Sequence, residues 1–159
     1  MRLAATVGLI VAAVTLAGCG GKRAVEIDQD PQPVASRWNA RLSTPAGLAG
    51  AIQVMGTAWM GARERDGMET EAGVSISNSA PGGRHPWHVH RGQCGTDQGV
   101  VGQADAYEVL EVEGNGEAEA EATLAVPAPR TGQYYVDVHA SPSNMGTLVA
   151  CGNMAPPTR

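Results

Sequence analysis

The run His85-Pro86-Trp87-His88-Val89-His90 sets His88 and His90 two positions apart in a segment of extended character, with Cys94 four positions further on. Side chains of a strand alternate between its faces, so His88 and His90 point one way while Trp87 and Val89 point the other, into whatever core the strand covers. A second segment, Tyr134-Tyr135-Val136-Asp137-Val138-His139, alternates in the same sense, with Val136 and Val138 on the apolar face and His139 on the opposite one. Three imidazoles are thus expected to converge outside a packed β wall as the ligands of a transition metal, and imidazole suits copper and zinc alike. The whole chain holds four histidines, all within these two segments, which is not the scatter expected of surface residues. His85, the fourth, is offset by three from His88 and falls on the other face, with Pro86 expected to interrupt regular pairing between them. It reads as a hydrogen-bonded support behind the site, not as a ligand.

Histidines placed this way need strands to carry them, and the composition supplies strands. Twenty-one Gly and ten Pro, with three Trp, three Tyr and no Phe, describe a turn-rich chain packed by small and β-branched residues. Period-two segments at 38–42, 51–60, 70–77, 87–91, 107–113, 117–126, 133–139 and 147–151 are separated by Gly, Pro, Asn and Asp clusters. About eight short antiparallel strands predict an all-β Greek-key sandwich or barrel. The plainest hairpin is 107–113 with 117–126 around Gly114-Asn115-Gly116, because Asn-Gly suits the positive φ angles of a tight turn. Glu117, Glu119 and Glu121 then share a solvated face that discourages edge-to-edge association, while the intervening alanines face inward.

The first residues bear on location. Arg2 precedes an apolar run that closes with Leu16-Ala17-Gly18-Cys19, a pattern that resembles a bacterial lipoprotein signal and is too short for a spanning helix. By that resemblance residues 1–18 are removed, Cys19 carries lipid, residues 19–36 form a polar tether, and a β domain spans 37–155. Gly20 then favours an outer-membrane destination facing the periplasm, with the membrane engaged through the lipid anchor. The 141 residues that remain suffice for one domain with a real core. Losing Arg2 leaves ten cations against sixteen acids, about −6, with no basic tract to bind nucleic acid. In an oxidising compartment Cys94 and Cys151 are most simply a disulfide. The other reading is a thiolate copper ligand, for which a blue-copper site would normally place a histidine soon after Cys151, where this chain has Gly152-Asn153-Met154.

Trp87-His88-Val89-His90, Cys94, Val138-His139 and Ala150-Cys151-Gly152 occur in an order that resembles the copper/zinc superoxide dismutases over roughly residues 37–154. The resemblance implies a Greek-key β-sandwich. It implies copper on His88, His90 and His139, a structural role for His85, a Cys94–Cys151 disulfide, and superoxide as substrate. The departures matter as much. No histidine lies between Cys94 and His139, so zinc is not expected, Asp97 and Asp105 cannot make that site alone, and no imidazole bridges two metals. The stretch 140–150 contains no arginine, and an acidic protein without a cationic funnel steers an anion weakly. Arg84 and Arg91 flank the histidine strand and are candidates for anion guidance, against the plainer reading as surface charges. Two functions follow from the resemblance: a copper-only superoxide dismutase, or a copper-holding lipoprotein that no longer turns over. Met145 and Met154 bear on the second, since thioethers favour Cu(I). A third reading is a structural domain that has lost its metal.

Overall fold

The alternation of each segment decides which face it buries, and β1 shows the rule: in Trp38–Ser43 the residues Trp38, Ala40 and Leu42 are buried and Asn39, Arg41 and Ser43 are exposed. The structure, a computed structural model, describes residues 37–51, 53–64 and 67–157. The expected leader, the expected lipidation at Cys19 and the expected tether lie outside these residues. Following β1 are β2 (Met55–Ala62), β3 (Thr70–Ser77), β4 (Arg84–His85), β5 (Trp87–Gln93), β6 (Thr96–Val100), β7 (Leu110–Glu111), β8 (Ala118–Leu124), β9 (Tyr134–Ser141) and β10 (Asn144–Asn153). A single 3-10 turn at Ala104–Ala106 is the only helical element among the described residues.

Eight strands form one antiparallel sheet in the order β6-β5-β9-β10-β1-β2-β3-β8, and β4 and β7 form a two-stranded annex. The sheet curls into a half-barrel of the sandwich and barrel class. Neighbours such as β5 and β9, β10 and β1, or β3 and β8 are distant in sequence, the mark of Greek-key connections. Inside the curl, Trp38, Leu42, Met60, Val74, Ile76, Trp87, Val89, Leu110, Leu124, Val136 and Val138 make one cluster. Two buried indoles would be costly with free N–H groups. Trp38 Nε1 donates to the Pro129 carbonyl at 2.8 Å and Trp87 Nε1 to that of Glu108 at 2.7 Å.

Differences from the sequence expectations have local causes. The expected hairpin of 107–113 with 117–126 forms only in part, joined at its open end by an antiparallel bridge between Tyr107 and Ala122 and at its turn by one backbone hydrogen bond. Its turn is present, with Gly116 at φ +83° and the Glu113 amide on the Glu117 carbonyl. The second strand, however, pairs with β3 from Ile76↔Ala118 to Thr70↔Leu124, where a full-length partner satisfies its backbone. The first strand is drawn towards the annex. Val112 donates to Gly83, Gly82 donates to Val112, and only Leu110–Glu111 stays regular, against β4. β6 escaped the sequence reading because Thr96-Asp97-Gln98-Gly99-Val100 has no apolar alternation and is held by pairing to β5. β8 lies at a sheet edge, with Glu117, Glu119 and Glu121 exposed.

Cys94 and Cys151 form a disulfide with their Cα atoms 6.1 Å apart, which removes the thiolate-ligand reading. It links the turn between β5 and β6 to β10, and the Cys94 amide also donates to Asn153 Oδ1 at 2.8 Å. Closing a loop between residues 57 apart lowers unfolded-state entropy by a free-energy equivalent of about 4 kcal/mol. The metal-free Cys94→Ala/Cys151→Ala double variant is therefore expected to lose about 4 kcal/mol of unfolding free energy in a denaturant titration.

Candidate metal centre

β5 and β9 pair antiparallel with Trp87 opposite Val138, His88 opposite Asp137, Val89 opposite Val136 and His90 opposite Tyr135. Trp87, Val89, Val136 and Val138 are fully buried in the core. That commitment sends His88, His90, Tyr135, Asp137 and His139 to the other face together. Pro86 has no amide to extend the ladder, so the strand breaks there into β4 and β5, while the Pro86 carbonyl accepts the His139 amide at 2.8 Å.

His88, His90, Asp137 and His139 each offer a ligand atom, and these atoms lie within 4.8 Å of one another. His88 Nδ1 is 3.3 Å from His139 Nε2, His90 Nε2 is 3.2 Å from Asp137 Oδ2, and His139 Nε2 is 3.4 Å from Asp137 Oδ1. Donors at roughly 2 Å from a four-coordinate ion are separated by roughly 3.3 Å, so this spacing is that of a ligand set. Other contacts fix the tautomers. His90 Nδ1 donates to Asp97 Oδ1 at 2.8 Å and His139 Nδ1 to the Met145 carbonyl at 2.7 Å, which leaves a lone pair on each Nε2. The Ala104 backbone lies beside the His88 ring. Two atoms at the centre, His90 Nε2 and Asp137 Oδ1, are buried without a hydrogen-bond partner. A buried His/Asp group with orphaned donors aimed at one point can hold a metal ion.

The centre is more enclosed than an array on an outer wall, since all four residues are under a tenth exposed. Tyr107 packs its ring edge-on against His88 and donates its hydroxyl to the Val101 carbonyl, and Tyr135 stacks on His90 with ring centroids 5.0 Å apart. Burial with nearby carboxylate charge pushes the Tyr135 phenol up to about 12. Burial, with the charges of His139 and His90, lowers the His88 pKa against the pull of Asp137. Burial also acts to lower His90, but the hydrogen bonds and charge of Asp137, joined by Asp97, reverse the sign and leave it raised. For Asp137, burial pushes upward, yet hydrogen bonds and charge from His139 and His90 hold the carboxyl well below its ordinary range.

His85 lies behind the trio with both ring nitrogens engaged, Nδ1 with the His139 carbonyl and Nε2 with Ser79 Oγ, each at 2.8 Å. Neither arginine is directed at the centre. Arg84 faces Glu111 at 3.5 Å and Arg91 donates to the Val100 carbonyl at 2.9 Å. Met154 is packed in the core, and Met145 is exposed, touching the site through its backbone carbonyl. The sequence reading missed Asp137 as a member of the centre. Its signal was there: Asp137 stands two residues before His139, and the period that placed the histidine places the carboxylate beside it.

No protein-family model matches the chain, and no curated protein does. The curled all-β sheet, the histidine cluster and the disulfide are compatible with a copper/zinc superoxide dismutase-like fold.

The opposed shifts give a pH prediction. In the metal-free protein His90 is expected to titrate above the ordinary 6.5 and His88 below it, in an NMR titration of the ring resonances. Their linked effects on stability oppose each other: the His90 contribution is full below 6.5 and lost as pH rises through its raised value, whereas His88 resists protonation in the fold. Asp137 governs the acid limb, its contribution being full above the ordinary 3.8 and lost as pH falls through the depressed value. Because a metal requires unprotonated imidazoles, affinity should decline on acidification from above pH 6.5, with proton release on binding measurable by calorimetry in two buffers.

Proposed function

We propose that this protein binds one copper ion through His88, His90 and His139 and acts on superoxide, as a zinc-free counterpart of the copper/zinc superoxide dismutases. The observation that carries the reading is the convergence of three imidazoles, two of which, His90 and His139, have outer contacts that fix which nitrogen faces inward. Imidazole donors alone fit copper and zinc, and the ordered resemblance of the histidine and cysteine segments favours copper. When bound, copper would supply one-electron chemistry in two half-reactions, by which two superoxide anions and two protons become one dioxygen and one hydrogen peroxide.

The chain's own residues have separate tasks. His85 anchors the His139 carbonyl, and Asp97 orients His90 through its outer nitrogen. Both reduce the freedom of a ligand to swing away. With no histidine between Cys94 and His139 to act as a bridge, protons would come from water. The lipoprotein-like pattern of residues 1–19 supports attachment at Cys19 in the cell envelope.

A second reading, copper holding without turnover, is favoured by Asp137. A buried carboxylate repels an incoming anion, and Arg84 and Arg91, engaged elsewhere, do not offset it.

Copper titration of the purified protein is expected to give one tightly bound equivalent, lost in His88→Ala and in His139→Ala. Pulse radiolysis of the loaded protein then separates the readings. Superoxide decay that is catalytic in copper and abolished in both variants supports dismutation, bound copper with no catalysis supports holding, and no uptake rejects both.

A further inference from the structure

We infer that Asp137 is the fourth donor of this centre and biases it towards a divalent ion over a monovalent one. The inference rests on the copper-site reading and adds a specificity-determining residue to it.

Asp137 is 4 % exposed, and a carboxylate at that depth must be balanced by charge or hydrogen bonds. Without a metal, only protonation of the facing imidazoles can do so. Its ion-pair neighbours are His90 and His139 only, Oδ1 has no hydrogen-bond partner, and neither arginine beside the strand reaches it among the described residues. The two facing Nε2 atoms carry lone pairs when neutral, because their rings already donate from Nδ1 to Asp97 and to the Met145 carbonyl. With both rings neutral, lone pairs face lone pairs across 3.2 and 3.4 Å, an arrangement that a proton on Nε2 or a metal cation between them relieves. The same two distances match the ligand separations of a small four-coordinate ion.

The choice of oxidation state follows from charge and softness. A carboxylate attracts a doubly charged ion twice as strongly as a singly charged one at the same distance. Desolvation works in the same direction, since the penalty rises with the square of the net site charge and the carboxylate removes more of it from the divalent state. Carboxylate oxygen is also a hard donor, unlike the thioether and thiolate that select Cu(I). No such soft donor joins the centre among the described residues: Met154 is in the core, Met145 contributes its backbone carbonyl, and Cys94 and Cys151 are in the disulfide.

The test uses the full chain with Cu(II) and Cu(I) as separate probes, each titrated against a chelator of its own oxidation state, for wild type, Asp137→Asn and Asp137→Ser. Asn keeps the shape and removes the charge, and Ser guards against a misfit of the amide. The unfolding midpoint and disulfide content of each variant verify the fold. Cu(II) affinity is expected to fall by at least about tenfold in a correctly folded variant, with Cu(I) affinity changing less than about threefold, a higher reduction potential and an altered copper hyperfine coupling in the EPR spectrum. Equal weakening of both ions, or no change in either, overturns the inference. If wild type binds copper at a His88-dependent site that ignores Asp137, only this inference falls. If wild type binds none, the copper reading falls and takes it along.

Discussion

The pairing of β5 with β9 is the constraint from which the chemistry descends. Four side chains, Trp87, Val89, Val136 and Val138, are withdrawn from water on one face of this pair. Each contributes roughly 1.5–3 kcal/mol by being buried, as much as a hydrogen bond to a charged group and more than one between neutral groups. A slip of one residue would turn those four outward and push the imidazoles into the hydrocarbon core, so the register is held by hydrophobic burial and the polar cluster inherits its geometry. The metal centre is in this sense the reverse side of the core.

That inheritance explains what could be read from the amino-acid order and what could not. The face shared by His88 and His90, the position of His139 and the all-β class follow from a period of two and from Gly/Pro punctuation, both local properties. Asp137 obeys the same period, so its face was legible, but a single acid between two valines carries no metal-ligand signature of its own. Other features are not local. The full-length partner of β8 is β3, a neighbour far off in sequence, while the nearby segment that the Asn-Gly turn suggested adds a single bridge on the other edge. β6 carries almost no apolar signal of its own. The enclosure of the centre comes from Tyr107 and the Ala104 turn, loop residues whose position depends on the closed fold.

A buried carboxylate among imidazoles places two demands in opposition. Holding a cation firmly favours negative charge at the donors, whereas drawing an anion inward favours positive charge at the approach. The contacts at Asp137 and the engaged states of Arg84 and Arg91 settle the first demand more fully than the second. Such an arrangement suits the holding of a cation, and among the described residues no positive field is directed at it that would gather an anion from a distance.

The reach from His139 to Met145 carries one more implication. The ring of His139 is aimed by the Met145 carbonyl, across the tight connection between β9 and β10, while its own carbonyl is gripped from behind by His85. Exposed hairpin tips ordinarily absorb inserted residues with little effect. Here the connection works as a gauge whose length sets a ring angle, so an insertion between Ser141 and Asn144 would leave the strands intact and still detune the metal pocket.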